Sequence, residues 1–305
     1  MMKRFGRGLV LVATVMLVAT ACGDDKKAST TTTAGGGTTS TFEAGTTMAR
    51  IQKAGKITVG VKIDQPGFGV KNPTTGDVEG FDVEIAKSIV AAIGKDIKIS
   101  FVESVSANRE DFLEKGTVDM VVATYTINDA RKQRVDFAGP YFVARQDIMV
   151  KSSDSSIKSV TDLDGKKVCT VTGSTSATNV KAKAPNADVT LLGTYSECVA
   201  ALTDDRVVAV TTDNTILSGF VKASNGAFKL VENPFSDEPY GIGVKKDDDA
   251  FRTFINDHLE EMFASGDWAT AFESTLGTAI GLKTPEPPKV DRYTETPPAP
   301  TTTAN

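Results

Sequence analysis

The sequence predicts an α/β fold made of two successive βα series, and three observations carry that prediction. Short runs rich in β-branched and apolar residues alternate with helical patterns, which implies parallel strands joined by crossover helices. The alternation occurs twice, over residues 57–123 and again over 167–223. The 305 residues, 40% hydrophobic and 24% charged, suffice for the core of one two-lobed unit or of two small domains.

The chain opens on Lys3, Arg4 and Arg7, an apolar stretch over 9–18, and the small residues Ala19, Thr20 and Ala21 before Cys22. This order reads as a lipoprotein signal peptide over 1–21, with cleavage leaving Cys22 as a diacylglyceryl thioether anchor; Ala19 stands where that pattern usually has Leu or Val. The stretch 9–21 is shorter than the ~20 residues needed to span a membrane. Residues 22–47, mostly Thr, Gly, Ser and Ala, are expected to be a flexible tether.

The first series has strands over 57–61, 97–102 and 120–123 and helices over 82–93 and 109–115. In the first helix Phe81, Ile85 and Ile89 fall at i, i+4 and i+8, which is one core face. The second series has strands over 167–171, 189–192 and 207–211, alternating with helices over 177–184, 195–203 and 214–223. A strand over 240–244 and helices over 248–264 and 267–276 follow, with Asp247, Asp248 and Asp249 as a helix start and Trp268 as a core anchor. Residues 282–305, rich in Pro and Thr, read as a disordered tail.

A net charge of −5 and a pI near 5.2 leave no basic field for nucleic acid, so a ligand is expected to be small or a protein. His258 is the only histidine and lies in a charged helix, which argues against a Ser-His-Asp or Cys-His arrangement. No His/Cys cluster has metal-ligand spacing, and neither a metal nor a cofactor is expected.

The stretch 121–142 carries the chemistry. An apolar run ends in Thr124, Thr126 and Asn128, and a polar turn follows with Arg131 inside it. A guanidinium fork grips the two oxygens of a carboxylate while neighbouring hydroxyls and backbone N–H groups satisfy the rest. The competing reading is a solvated turn shared by Arg131, Lys132 and Arg134. Asp213 ends the strand 207–211 through Thr211 and Thr212, where a carboxylate answers an ammonium or simply caps a helix. Gly173, Ser174, Thr175 and Ser176 lie between a strand and a helix, where backbone N–H groups favour anions.

The run T-Y-T-I-N-D-A-R-K-Q-R-V-D-F from Thr124, followed by P-Y, resembles the signature of the polar amino-acid-binding proteins of bacterial ABC importers, solute-binding protein family 3. The resemblance continues, in order, through V-G-V-K-I-D-Q-P at Val59, G-F-D-V-E-I-A at Gly80, N-R at Asn108, G-K-K-V at Gly165, T-T-D at Thr211 and Y-G-I-G-V at Tyr240. It covers about residues 55–276. Within the family it is most similar to glutamate/glutamine-binding lipoproteins of actinobacteria, given Cys169, Cys198 and the S-x-C-V-A-A-L run.

The resemblance implies a type II periplasmic-binding-protein-like fold of two lobes, each a mainly parallel sheet flanked by helices. Lobe 1 is expected over 48–141 and 241–281 and lobe 2 over 142–240. Crossings near 141–145 and 237–240, two short strands in parallel, would form the hinge. It also implies Arg131 on an α-carboxylate with Thr124, Thr126 and Asn128, Asp213 on the ammonium, and Ser174 and Thr175 as second-lobe contacts. Lys62 and Gln65 would face the ligand from the end of the first strand, with Phe68 or Tyr125 as its aromatic cover. Asn108-Arg109 looks like the pair that reaches a side-chain carboxylate, with Lys62 as a second cation; the alternative is an exposed Arg109 paired to Glu110 or Glu114. In an extracytoplasmic compartment the remaining cysteines, Cys169 and Cys198, suggest a disulfide, with two buried thiols as the alternative.

The expected function is capture of an amino acid, glutamate or aspartate before glutamine or asparagine, by a monomer anchored outside the cell membrane that delivers it to an ABC permease. A sensor engaging a membrane receptor is the alternative. A cyclohexadienyl-dehydratase-like enzyme is a lesser one and would need Glu103 or Glu110 as a general acid.

Overall fold

The computed structural model describes residues 42–293. The expected signal peptide and Cys22 lie outside them. Among the described residues no helix is long and apolar enough to cross a membrane.

The chain enters through α1 (Thr47–Ala54) and β1 (Lys56–Val61), then a small antiparallel sheet of β2 (Asp64–Gln65), β3 (Gly69–Lys71) and β4 (Val78–Glu79). Helix α2 (Phe81–Ile93) buries Phe81, Ile85 and Ile89 completely. It starts on Gly80 at φ +138°, where a Cβ would stand 2.3 Å from the Phe68 carbonyl oxygen, so only glycine fits. Strand β5 (Lys98–Glu103), α3 (Arg109–Glu114) and β6 (Met120–Val121) complete the first series, and α4 (Asp129–Lys132) leads into β7 (Val135–Lys151).

The second series comprises β8 (Lys167–Val171), α5 (Thr175–Lys183), β9 (Asp188–Leu192), α6 (Tyr195–Thr203), β10 (Ala209–Asp213) and α7 (Asn214–Ala223). Ser174 caps α5. Thr194 and Glu197 form a reciprocal capping box on α6, which fixes where that helix starts. The chain returns through β11 (Phe228–Leu230), β12 (Ser236–Lys245), α8 (Asp249–Ser265) and α9 (Asp267–Phe272), ending in a π-helical turn Glu273–Gly277 and α10 (Thr278–Ile280).

The main sheet runs β5-β1-β6-β12-β7-β10-β8-β9, with β11 on β7. Parallel β1, β5 and β6 form one lobe and parallel β8, β9 and β10 the other. Between them β12 pairs with residues 135–146 of β7, and the two strands serve both lobes. The pair corrects the expected crossing: the strands are long, 17 and 10 residues, and antiparallel, with Tyr240 opposite Phe142 and an irregularity between Tyr240 and Ile242. The final helices pack back on the first lobe, where the Trp268 ring lies 5.6 Å from Phe272 and 5.8 Å from Phe81 and its indole N–H donates to Tyr141 O.

Cys169 on β8 and Cys198 on α6 are joined by a disulfide, with Cα atoms 5.5 Å apart. Part of the sequence expected to be unstructured is folded. Phe42 packs edge-on against Phe254, and residues 284–293 lie along the first lobe, with Val290 buried and Asp291 N donating to Gly139 O.

Candidate functional site

Strand ends from both lobes converge on a small buried pocket. Its wall combines Ser106, Arg109, Thr124 and Thr126 from the first lobe with Ser174, Thr175, Ser176, Tyr195, Thr212, Asp213 and Ile216 from the second. It measures about 10 Å³, room for about one water molecule, so a larger ligand requires the lobes to part.

Two of its charged residues each present one unsatisfied atom. Asp213, at the end of β10, is 4% exposed; its Oδ2 accepts from the Tyr240 hydroxyl at 2.5 Å while Oδ1 is buried with no hydrogen-bond partner. Burial, then the charge of Glu238, pushes this carboxyl up to about 7, against the Tyr240 hydrogen bond and the fields of Arg109 and Arg131. Arg109, at the start of α3, is 2% exposed. Its Nη1 donates to Ala123 O and Thr124 O, its guanidinium lies 4.2 Å over the Tyr125 ring, and its Nε is buried with no partner. The alternative of an exposed, paired Arg109 is overturned, because Glu110 pairs with Arg131 and Glu114 with Arg134. Burial, then the neighbouring Arg131, lowers the Arg109 guanidinium to about 10.

Arg131 is also buried rather than solvated, and it lines an adjoining cavity of about 290 Å³ rather than this pocket. Its Nη1 donates to Thr126 O at 2.6 Å, its Nε pairs with Glu110 at 3.2 Å, and its Nη2 crosses to the second lobe to reach Gly173 O at 3.1 Å. Its guanidinium shares the Tyr125 ring with Arg109, at 4.9 Å. The hydroxyls of Thr126 and Thr175 meet across the lobes at 3.4 Å.

Of the residues singled out by sequence, Arg109, Thr124, Thr126, Ser174, Thr175 and Asp213 line this pocket. Lys62 and Gln65 line a neighbouring one. Lys62 donates to Ser106 Oγ at 3.1 Å, and burial followed by the charge of Arg109 lowers its ammonium to about 7; Gln65 accepts from the Thr124 hydroxyl. The Asn128 side chain is taken up as the N-cap of α4, accepting from Arg131 N at 2.9 Å. Phe68 is buried among Phe142 and Tyr240 rather than over the pocket, and Tyr125 underlies the two guanidinia. The aromatic that does line the pocket, Tyr195, has no sequence signal beyond its place at the start of a capped helix.

Two buried acids shape the site indirectly. Asp82 accepts from Thr124 N at 2.8 Å and from the Tyr141 hydroxyl at 2.6 Å, which holds Thr124 at φ +44°, a conformation rare for a β-branched residue. Glu238, on β12, accepts from the Thr175 hydroxyl, Asn179 and Ser236. The G-F-D start made Asp82 visible only as a helix beginning, and Glu238 carried no pattern.

Such a pocket, with an orphaned acceptor on one side and an orphaned donor on the other, suits a small ligand of mixed charge. The glutamate-binding protein GluB of Corynebacterium efficiens is 39% identical over 272 residues, covering 86% of each chain. The ABC transporter glutamine-binding protein GlnH of Bacillus subtilis is 42% identical over 268 residues, 87% of this chain and 94% of that protein. Among solved structures, an ancestral arginine-binding protein bound to glutamine superposes with a TM-score of 0.69 at 39% identity, covering 73% of this chain and 98% of its own. The family of bacterial extracellular solute-binding proteins, family 3, matches residues 57–278, and with a two-lobed fold and amino-acid-binding relatives on the same residues the chain belongs to that family.

Proposed function

We propose that the protein captures a single acidic amino acid, glutamate or aspartate, between its lobes and delivers it to an ABC permease. The carrying observation is the pair of orphaned buried atoms, Asp213 Oδ1 and Arg109 Nε, on residues lining one pocket. A buried polar atom without a partner is unfavourable, and a ligand that supplies the missing partner binds with that free energy. In this reading Asp213 takes the ammonium. Arg131 takes the α-carboxylate, exchanging its Gly173 hydrogen bond for the ligand as the lobes admit it, and Arg109 takes the side-chain carboxylate.

A ligand touching both lobes stabilises the closed arrangement over the open one. The lobe boundaries are placed at 48–141 with 241–281 and at 142–240, and β7 and β12 form the hinge. Attachment through Cys22 on the outer face of the cell membrane rests on the sequence before it. Calorimetric titration with the twenty amino acids tests the reading. Saturable binding of glutamate or aspartate, lost in Arg131→Ala and Asp213→Ala, is expected; a wild type that binds none of them sinks it.

A further inference from the structure

We propose that residues 284–293 form a strap that positions the helix carrying Arg131, so that ligand affinity depends on a segment beyond the family match at 57–278. The proposal rests on the reading of Arg131 as a ligand contact.

Helix α4 has four residues, too few to persist without outside contacts. Its first turn is held by Asn128. Its other end is held from outside: Lys246 Nζ donates to Lys132 O at 2.9 Å, and the buried Lys132 side chain meets the strap. The Lys132 ammonium lies 4.1 Å from the Tyr293 ring centroid and 3.8 Å from Asp291 Oδ2. An ammonium over an aromatic face, with a carboxylate beside it, is an attractive arrangement that strengthens as water is excluded.

The strap is itself anchored on rigid elements. The Tyr293 hydroxyl accepts from Phe137 N at 2.8 Å, its carbonyl accepts from Arg252 on α8, and the Arg252 guanidinium lies 4.7 Å from the same ring. Asp291 N donates to Gly139 O at 2.8 Å, and Arg292 pairs with Asp257 and Glu260 on α8. Phe137 and Gly139 belong to the first-lobe stretch of β7, whose sheet partner there is β12; the strap covers the other edge of that stretch. None of residues 284–293 lines the pocket, so an effect on binding is indirect, and exchange at α4 is the readout that separates a route through that helix from one through β7.

The test compares the full chain with a chain ending at Lys283 and with Tyr293→Ala and Tyr293→Phe. Amide hydrogen exchange at residues 129–134 is read without ligand, and glutamate affinity by calorimetry well below every melting temperature. Truncation and Tyr293→Ala should speed exchange of the Arg131 and Lys132 amides about tenfold and weaken glutamate at least about fivefold. Tyr293→Phe, which keeps the ring under Lys132, should hold affinity within about twofold. If the truncated chain does not fold, the two Tyr293 variants decide. A lower melting temperature with unchanged α4 exchange, or faster exchange with unchanged affinity, overturns the proposal. A wild type that ignores glutamate refutes the ligand reading instead, and α4 exchange alone then decides whether the strap holds the helix.

Discussion

Tyr240 donates its hydroxyl to Asp213 Oδ2 at 2.5 Å, which fixes the carboxylate and leaves Oδ1 buried and unsatisfied. Tyr240 comes from the strand that serves both lobes and Asp213 from a strand end of the second, so the acid is held where the lobes meet.

Asp213 makes binding and stability depend on pH in opposite senses. Its carboxyl, raised from 3.8 to about 7 in the folded chain, has to be ionised to accept an ammonium, so affinity should fall as pH drops through about 7. A group whose folded value is raised contributes stability that is complete below the unfolded value and is lost as pH rises through the folded one. Asp213→Asn should therefore raise the ligand-free melting temperature more at pH 8 than at pH 5 while abolishing binding. Glu238, Tyr240, Arg109 and Arg131 face the same carboxylate, and the wild-type-minus-variant difference isolates Asp213 from them. An equal gain at both pH values would show that Asp213 does not titrate in this range.

Gly173 should control closure. It lies at φ +76°, and a Cβ there would stand 2.7 Å from Ala107 Cα and 2.9 Å from Ala107 N, on the other lobe. Backbone cannot yield as a flexible side chain does, so Gly173→Ala should disfavour the closed arrangement by about 1–3 kcal/mol and weaken the ligand about fivefold to a hundredfold. Calorimetry measures the loss, and small-angle scattering should show a more extended particle at saturating ligand. Wild-type affinity would mean that the ligand-bound lobes do not meet there.

The disulfide should stabilise the second lobe without entering the site. A cross-link between Cys169 and Cys198, 29 residues apart, is worth about 3.6 kcal/mol on the chain-entropy model. The Cys169→Ser, Cys198→Ser double variant should melt several degrees lower and retain affinity within a few-fold, because neither cysteine lines the pocket. Alkylation and intact mass on protein from the oxidising compartment should find both thiols blocked.

What was legible in the sequence follows from which residues repeat a pattern. The βα series could be read because apolar residues such as Phe81, Ile85 and Ile89 recur at helix spacing and the strands between them are short apolar runs. The full length and antiparallel pairing of β7, of which only a short crossing near 141–145 was expected, escaped because the strand is buried on both faces for most of its length, which erases the alternation that marks a strand, and its pairing partner is about a hundred residues away. The 284–293 segment escaped because its Pro and Thr content reads as linker and only Val290 and Tyr293 advertise packing. In the site, polar residue types placed Arg109, Thr126 and Asp213 near one another only through the family resemblance. Spacing could not tell that the Asn128 side-chain oxygen would cap a helix, or that Phe68 would be consumed by the core.

Arg109 offers the sharpest test of specificity. With Asp213 and Arg131 assigned to the ammonium and α-carboxylate, the ligand's zwitterion is neutralised, and a further buried cation answers to its side chain. Two features favour that role: Arg109 Nε has no partner, and burial together with Arg131 already weakens its hold on its proton. A side-chain carboxylate would supply the missing acceptor and the missing charge, whereas an amide supplies at most the acceptor, so wild type should prefer glutamate to glutamine. Arg109→Gln should cut glutamate affinity by about 2–5 kcal/mol, change glutamine far less, and raise the ligand-free melting temperature by removing an unpaired buried charge. Titrating both proteins with both amino acids, and melting both without ligand, separates the outcomes. A wild type that prefers glutamine, or a ratio unmoved by the substitution, would remove Arg109 as the reader of the side chain.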